Sequence, residues 1–134
     1  MEQIPYFEAN ELMEKARMAA RNTYSPYSKF PVGAAVLTAD GAIFRGTNIE
    51  NASSPIGICA ERVAISSAIA DGKKTIKAIA IYANTDSVSP CGICRQFISE
   101  FGKDILIIFR HEGEMVQKTI HELLPYAFNN ESMA

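Results

Sequence analysis

Apolar positions change their spacing several times along the chain, and each change marks an element. Between Glu8 and Thr23, residues Ala9, Leu12, Met13, Ala16, Ala19, Ala20 and Thr23 recur every three or four positions, as one face of a helix does. Asn10 is a candidate cap. The helix should end before Tyr24-Ser25-Pro26-Tyr27, because Pro26 disfavours helical geometry at Ser25 and has no N–H to donate. Val32–Leu37 and Ala42–Ile49 then read as strands, joined through Ala39-Asp40-Gly41. Asp-Gly between apolar runs signals a hairpin, so the pair should be antiparallel.

The turn formers of Asn51-Ala-Ser-Ser-Pro-Ile-Gly57 predict a loop that delivers Cys59 to a helix over Ala60–Ala70. Its buried stripe is Ala60, Ala64, Ile65, Ala68 and Ile69, and Asp71-Gly72 stops it. Ile76–Ala83 is nearly all apolar, the pattern of a strand covered on both faces. After Pro90 a second helix runs from Cys91 to Phe101, packing through Ile93, Phe97 and Phe101 with Cys94 and Ile98 beside them, and Gly102 ends it. Ile105–Phe109 is another doubly covered strand, Glu114–Thr119 a fifth, and His121–Leu124 a helical turn before Pro125. Strand, helix, strand over residues 76 to 109 is a crossover unit, which requires parallel strands. With the hairpin, the sheet becomes mixed. No repeat, linker or charge block divides residues 1–134, so one α/β domain is expected.

Composition narrows the function. The 134 residues are 48% apolar and 21% charged, which argues against disorder. The formal charge of -2 supplies no basic footprint for nucleic acid or an acidic membrane, so a small neutral substrate fits better. No apolar run approaches the roughly 20 residues of a membrane span. The start, Met1-Glu2-Gln3-Ile4-Pro5, lacks the basic residues and apolar stretch of a secretory leader, which predicts a cytoplasmic protein.

Three cysteines, an odd number, make a disulfide framework the weaker reading. Cys59, Cys91 and Cys94 all fall at predicted helix starts, where partial positive charge and unpaired amides favour thiolate. Spacing alone leaves a metal site and a redox dithiol open for Cys91-x-x-Cys94, and Cys59 is open to plain core filling. Glu61 shifts the balance toward metal chemistry. Two residues beyond Cys59, it can stand beside an ion without ligating it, where acid–base catalysis needs a carboxylate. With His111 and His121 far from the motif in sequence, three thiolates and one open position is the economical site, the catalytic rather than the closed form of zinc.

Cys59-Ala60-Glu61-Arg62 and Pro90-Cys91-Gly92-Ile93-Cys94-Arg95-Gln96 resemble the cytidine deaminases, small homotetrameric zinc enzymes of pyrimidine salvage. Pro26-Tyr27-Ser28-Lys29-Phe30-Pro31-Val32-Gly33-Ala34-Ala35, Asn48-Ile49-Glu50-Asn51-Ala52 and Glu122-Leu123-Leu124-Pro125 are similar to that family in order and spacing. The resemblance spans about residues 12 to 128. It implies a three-layer fold, a mixed five-stranded sheet with helices on both faces, and hydrolytic deamination of cytidine and 2′-deoxycytidine to the uridines.

On that resemblance one zinc per chain is held by Cys59, Cys91 and Cys94 and makes water a usable nucleophile, while Glu61 shuttles protons from water to ring N3 and to the departing ammonia. Arg62 is placed to donate to a thiolate sulfur and offset the negative charge of three thiolates. Asn48 and Glu50, two apart on a strand and so on one face, bind sugar hydroxyls. Phe30 lies against the base, whose polar edge is read by the Ala60 amide and the Ser89 carbonyl. Phe128 reaches into the site of an adjacent subunit. Ser54 stands where the family usually has an aromatic beside the sugar and the subunit contact, and Thr47 where a cysteine is frequent. Rival readings are a deaminase of a blasticidin-type nucleoside, a polynucleotide editor and a non-catalytic zinc-binding module. The editor typically shows His-x-Glu and a basic groove, and the module has no use for Glu61.

Overall fold

A computed structural model describes residues 3–133. Met1 and Glu2, on which the expectation of no leader partly rests, and Ala134 lie outside the described residues. The order is α1 (Tyr6–Ala20), β1 (Val32–Thr38), β2 (Ile43–Thr47), α2 (Ala60–Ala70), β3 (Ile76–Ala83), α3 (Gly92–Ser99), β4 (Leu106–His111), β5 (Glu114–Thr119) and α4 (Ile120–Leu123). The strands form one mixed sheet, β2-β1-β3-β4-β5, in which only β3 and β4 run parallel. Both the hairpin and the crossover are as the sequence predicts. No helix among the described residues is long and apolar enough to cross a membrane.

The pleat of the sheet sorts its side chains into two cores. Ala34, Val36, Ile79, Ile81, Ile107 and Phe109 face α2, α3 and α4, while Ala35, Leu37, Ala78, Ala80, Leu106 and Ile108 face α1. That alternation over three central strands makes three layers of helix, sheet and helix. Two glycines set the spacing. A Cβ on Gly33 would lie 1.9 Å from the Ala16 carbonyl oxygen of α1, and one on Gly46 would lie 2.4 Å from the Ala60 carbonyl oxygen of α2. Both helices therefore rest directly on strand backbone, and the N-terminal turn of α2 is fixed against β2.

Several boundaries differ from the sequence reading. Helix α1 starts at Tyr6, with Pro5 at its cap position and Asn10 exposed inside it, and it ends at Ala20 rather than Thr23. Pro5 needs no N–H at a helix start, so it opens the helix without a side-chain cap. The expected loop before Cys59 contains a 3-10 turn at Ser54–Ile56. Helix α3 is shorter than expected, and Ile93 is 66% exposed rather than packed. Cys94, Phe97, Ile98 and Phe101 already cover the core side; Ile93 is turned about 100° from Cys94 and left open. Ile69 is only half-buried.

Candidate active site

The site begins at the ends of two helices on one side of the sheet. Cys59 is the N-cap of α2, Cys91 is the N-cap of α3, and Cys94 lies one turn into α3. Neither cap side chain bonds its own helix, which leaves both sulfurs free to point elsewhere. The three Sγ atoms lie within 4.8 Å of one another, with Cys59 and Cys91 3.9 Å apart, and all three thiols are free. This soft donor set, gathered at two positive helix ends, fits zinc.

The cluster is electrostatically graded. The Cys59 thiol is held well below its ordinary range, first by the hydrogen bond from Cys94 and then by Arg62 and Cys91. Cys94 is pushed up by the Cys59 sulfur, by burial and by Glu61. Arg62 stands where the sequence places it. Its Nη2 lies 4.0 Å from Cys59 Sγ and 3.3 Å from the Gly57 carbonyl, and its buried Nε has no partner. Glu61, on the first turn of α2, is only 4% exposed. An acidic residue that merely complements a helix dipole has no need of burial. Loss of solvent raises its pKa above 4.5, and the negative Cys59 sulfur adds to the rise.

Asn48 and Glu50 lie just past the end of β2, in extended chain that pairs at Ile49 with Tyr24 and Ile58, rather than within the strand. Both hold the loop that carries Phe30. Asn48 Oδ1 accepts from Val32 N–H at 3.0 Å and from the Thr23 hydroxyl, while Nδ2 donates to the Phe30 carbonyl at 2.9 Å. Glu50 accepts from Tyr27 N–H at 2.9 Å, Ser28 N–H at 3.1 Å and the Ser28 hydroxyl. Those bonds, the hydroxyl first, pull its carboxyl below the ordinary range. One Asn48 N–H and part of the Glu50 lone-pair capacity remain for a ligand. Phe30 is 44% exposed and so is not core. Ser54 lines a cavity of about 380 Å³ together with Tyr27, Ser28, Glu50 and Gly57. Thr47 donates to the Val32 carbonyl at 3.0 Å, a bond within the sheet.

Ala60 is fully buried at the first position of α2, and Ser89 is exposed just before buried Pro90. Phe128 is 63% exposed, and its carbonyl accepts from Gln96 Nε2 at 2.8 Å. Three residues have no functional role in the sequence reading: Thr23 and Ser28, which bond Asn48 and Glu50, and Arg95. A cation just inside the start of a helix opposes the helix dipole, and that is the signal that marks Arg95.

Known proteins agree with this geometry. The chain is 42% identical over 130 residues to a cytidine deaminase of Sporosarcina psychrophila, covering 95% of this chain and 96% of that one. It is 34% identical over 127 residues to a blasticidin-S deaminase of Bacillus cereus, covering 88% of this chain and 90% of that one. The crystal structure of a cytidine deaminase from Burkholderia pseudomallei superposes with a TM-score of 0.85 at 39% identity, covering 93% of this chain and all of that one. The family model of the cytidine and deoxycytidylate deaminase zinc-binding region matches residues 8–109, a span that takes in all three thiols, Asn48, Glu50 and Glu61. By sequence, fold and the thiol cluster alike, the chain belongs to the zinc-binding cytidine and deoxycytidylate deaminase family.

Proposed function

We propose that this chain is one domain that catalyses the zinc-dependent hydrolytic deamination of cytidine and 2′-deoxycytidine. The observation that carries the reading is the buried Glu61 carboxylate placed against a three-thiol cluster. Cys59, Cys91 and Cys94 hold one zinc, which supplies the Lewis acidity that makes water nucleophilic near neutral pH. Glu61 takes a proton from the attacking water and delivers it to ring N3, so that C4 becomes electrophilic. With the C4–O bond formed, Glu61 takes the remaining proton of that hydroxyl and passes it to the amine; the C4–N bond breaks, ammonia leaves and C4–O becomes the carbonyl. Burial serves this cycle because it raises the carboxyl's pKa and so favours the proton-carrying form through which the cycle passes. Arg62 offsets the excess negative charge of three thiolates.

Phe30 lies against the base, and the Ala60 amide and Ser89 carbonyl read its polar edge. The free Asn48 N–H and the Glu50 carboxylate bind the sugar hydroxyls. The protein works as a homotetramer in the cytoplasm, in pyrimidine salvage, with Phe128 completing a neighbouring site. Ile56, Ile93, Tyr126 and Phe128 support the assembly, since all four are at least 63% exposed despite being large and apolar. Purified protein given cytidine should show the ultraviolet change of uridine formation with one ammonia released per turnover. Faster turnover of blasticidin S than of cytidine would redirect the assignment to that rival, and no turnover of either would overturn it.

A further inference from the structure

The geometry points to Arg95 as a positioning residue that fixes the Cys91 thiol and ties it to the C-terminal segment. Three nitrogens of its guanidinium each have a separate partner. Nε donates to the Pro90 carbonyl at 2.8 Å, Nη1 to the Leu123 carbonyl at 2.9 Å and Nη2 to the Ser89 hydroxyl at 3.2 Å. Among the described residues no carboxylate pairs with it. Neutral oxygens alone meet its charge, so its place reflects geometry rather than ion pairing.

The bond to Pro90 matters most. Arg95 also donates its backbone N–H to the Cys91 carbonyl at 2.9 Å. One residue therefore holds the peptide planes on both sides of the Cys91 Cα, and with them the direction in which the sulfur leaves the chain. Cys91 needs such support because it is exposed, whereas Cys94 is locked by burial. Pro90 is itself buried, so water does not compete freely for its carbonyl.

The bond to Leu123 reaches across 28 residues. Leu123 ends α4, whose start is fixed by a reciprocal capping box between Thr119 and Glu122. Gln96, the next residue of α3, binds the Phe128 carbonyl. Arg95 and Gln96 thus hold both ends of the segment 123–128 against the helix that carries two thiols. A planar guanidinium serves three acceptors in fixed directions, which a lysine ammonium on a flexible stem does not. The inference deepens the deaminase reading and rests on its zinc site.

Arg95→Met, Arg95→Lys and Gln96→Ala should be compared as zinc-loaded proteins. The readouts are zinc release to a colorimetric chelator, KM and kcat for cytidine, and Tm. Partners that orient metal ligands are typically worth about 10- to 100-fold in metal affinity, so Arg95→Met should release zinc at least about tenfold faster than wild type. KM should rise more than kcat falls, because Ser89 moves with the loop. Arg95→Lys should fall between, restoring one bond of three, and decides the matter if the methionine variant does not fold. Gln96→Ala should keep wild-type zinc release, since it frees only the Phe128 end. A lowered Tm with wild-type zinc release and KM in both Arg95 variants would reduce Arg95 to ordinary packing and overturn the inference. If loaded wild type leaves cytidine untouched, the deaminase reading fails, while the chelator comparison still judges Arg95.

Discussion

Each end of the site carries one carboxylate, and the surroundings treat the two in opposite ways. At the thiol end Glu61 is buried beside a negative sulfur, and both effects raise its pKa. At the loop end Glu50 accepts three bonds from Tyr27 and Ser28 and stays ionised below the ordinary range. Burial that outweighs the donors suits a group that must gain and lose protons; donors without full burial suit a permanent acceptor. The two environments thus differ in the sense that the proposed division of labour between the carboxylates requires.

The largest test of that division is Glu61→Gln. It keeps the shape and removes the proton traffic, so kcat should fall by about 10² to 10⁴ or more, with one zinc per chain and an unchanged fold. Metal analysis and circular dichroism accompany the assay. A variant retaining a tenth of wild-type kcat would assign the proton transfers to another group and dissolve the contrast with Glu50.

At the loop end the expected losses lie in binding. Glu50→Ala removes a charged acceptor together with the three bonds that hold Tyr27 and Ser28, so KM for cytidine should rise by about 10- to 150-fold and Tm should fall, while zinc content stays put. Asn48→Ala should mix two effects, because most of its side-chain valences hold Val32, Phe30 and Thr23: KM rises and Tm falls. Wild-type enzyme that handles free cytosine as well as cytidine would remove both residues from the sugar.

Legibility from sequence also differs between the two ends. The thiol end is written in short range: Cys59, Glu61 and Arg62 share one turn, Cys91 and Cys94 the next helix, and the apolar run of Ala60–Ala70 places that helix at its observed bounds. A nearly unbroken apolar run likewise marks β3 at its observed ends, and the Glu112-Gly113 turn marks the start of β5. The loop end depends on bonds between distant segments, Ser28 to Glu50 and Thr23 to Asn48, which no local pattern encodes. Ile93 fails for a related reason. Apolar character alone does not say which side of α3 meets the sheet, and its exposure, like that of Tyr126 and Phe128, fits the assembly proposed above.

That assembly is where the open loop end would be completed. Phe128→Ala should shift the mass in light scattering from four chains toward fewer, and lower kcat/KM by about 5- to 30-fold, the range of 1–2 kcal/mol for an aromatic anchor. Zinc content should not change, since the thiols belong to one chain. A fully active monomer would show that the loop end needs no partner.

The smallest effect is the most direct probe of how Glu50 is tuned. Ser28 supplies the first cause of its lowered pKa through its hydroxyl, and that same oxygen accepts from the Phe30 N–H at 3.1 Å. Ser28→Ala therefore removes both bonds and loosens Glu50 and Phe30 together; since neither bond touches the ligand, the effect on KM at neutral pH should be about two- to tenfold. The sign with pH follows from the shift. An acid whose pKa is depressed keeps its charge, and the binding that depends on it, as pH falls past 4.5, and loses both only on passing the lower native value. Without the Ser28 hydroxyl the native value rises toward 4.5, so the increase in KM should begin at higher pH than in wild type. Initial rates down an acid series, with circular dichroism confirming the fold at each point, measure the displacement. Coincident KM profiles would mean that the backbone amides of Tyr27 and Ser28 alone set the charge of Glu50, and that the hydroxyl serves Phe30.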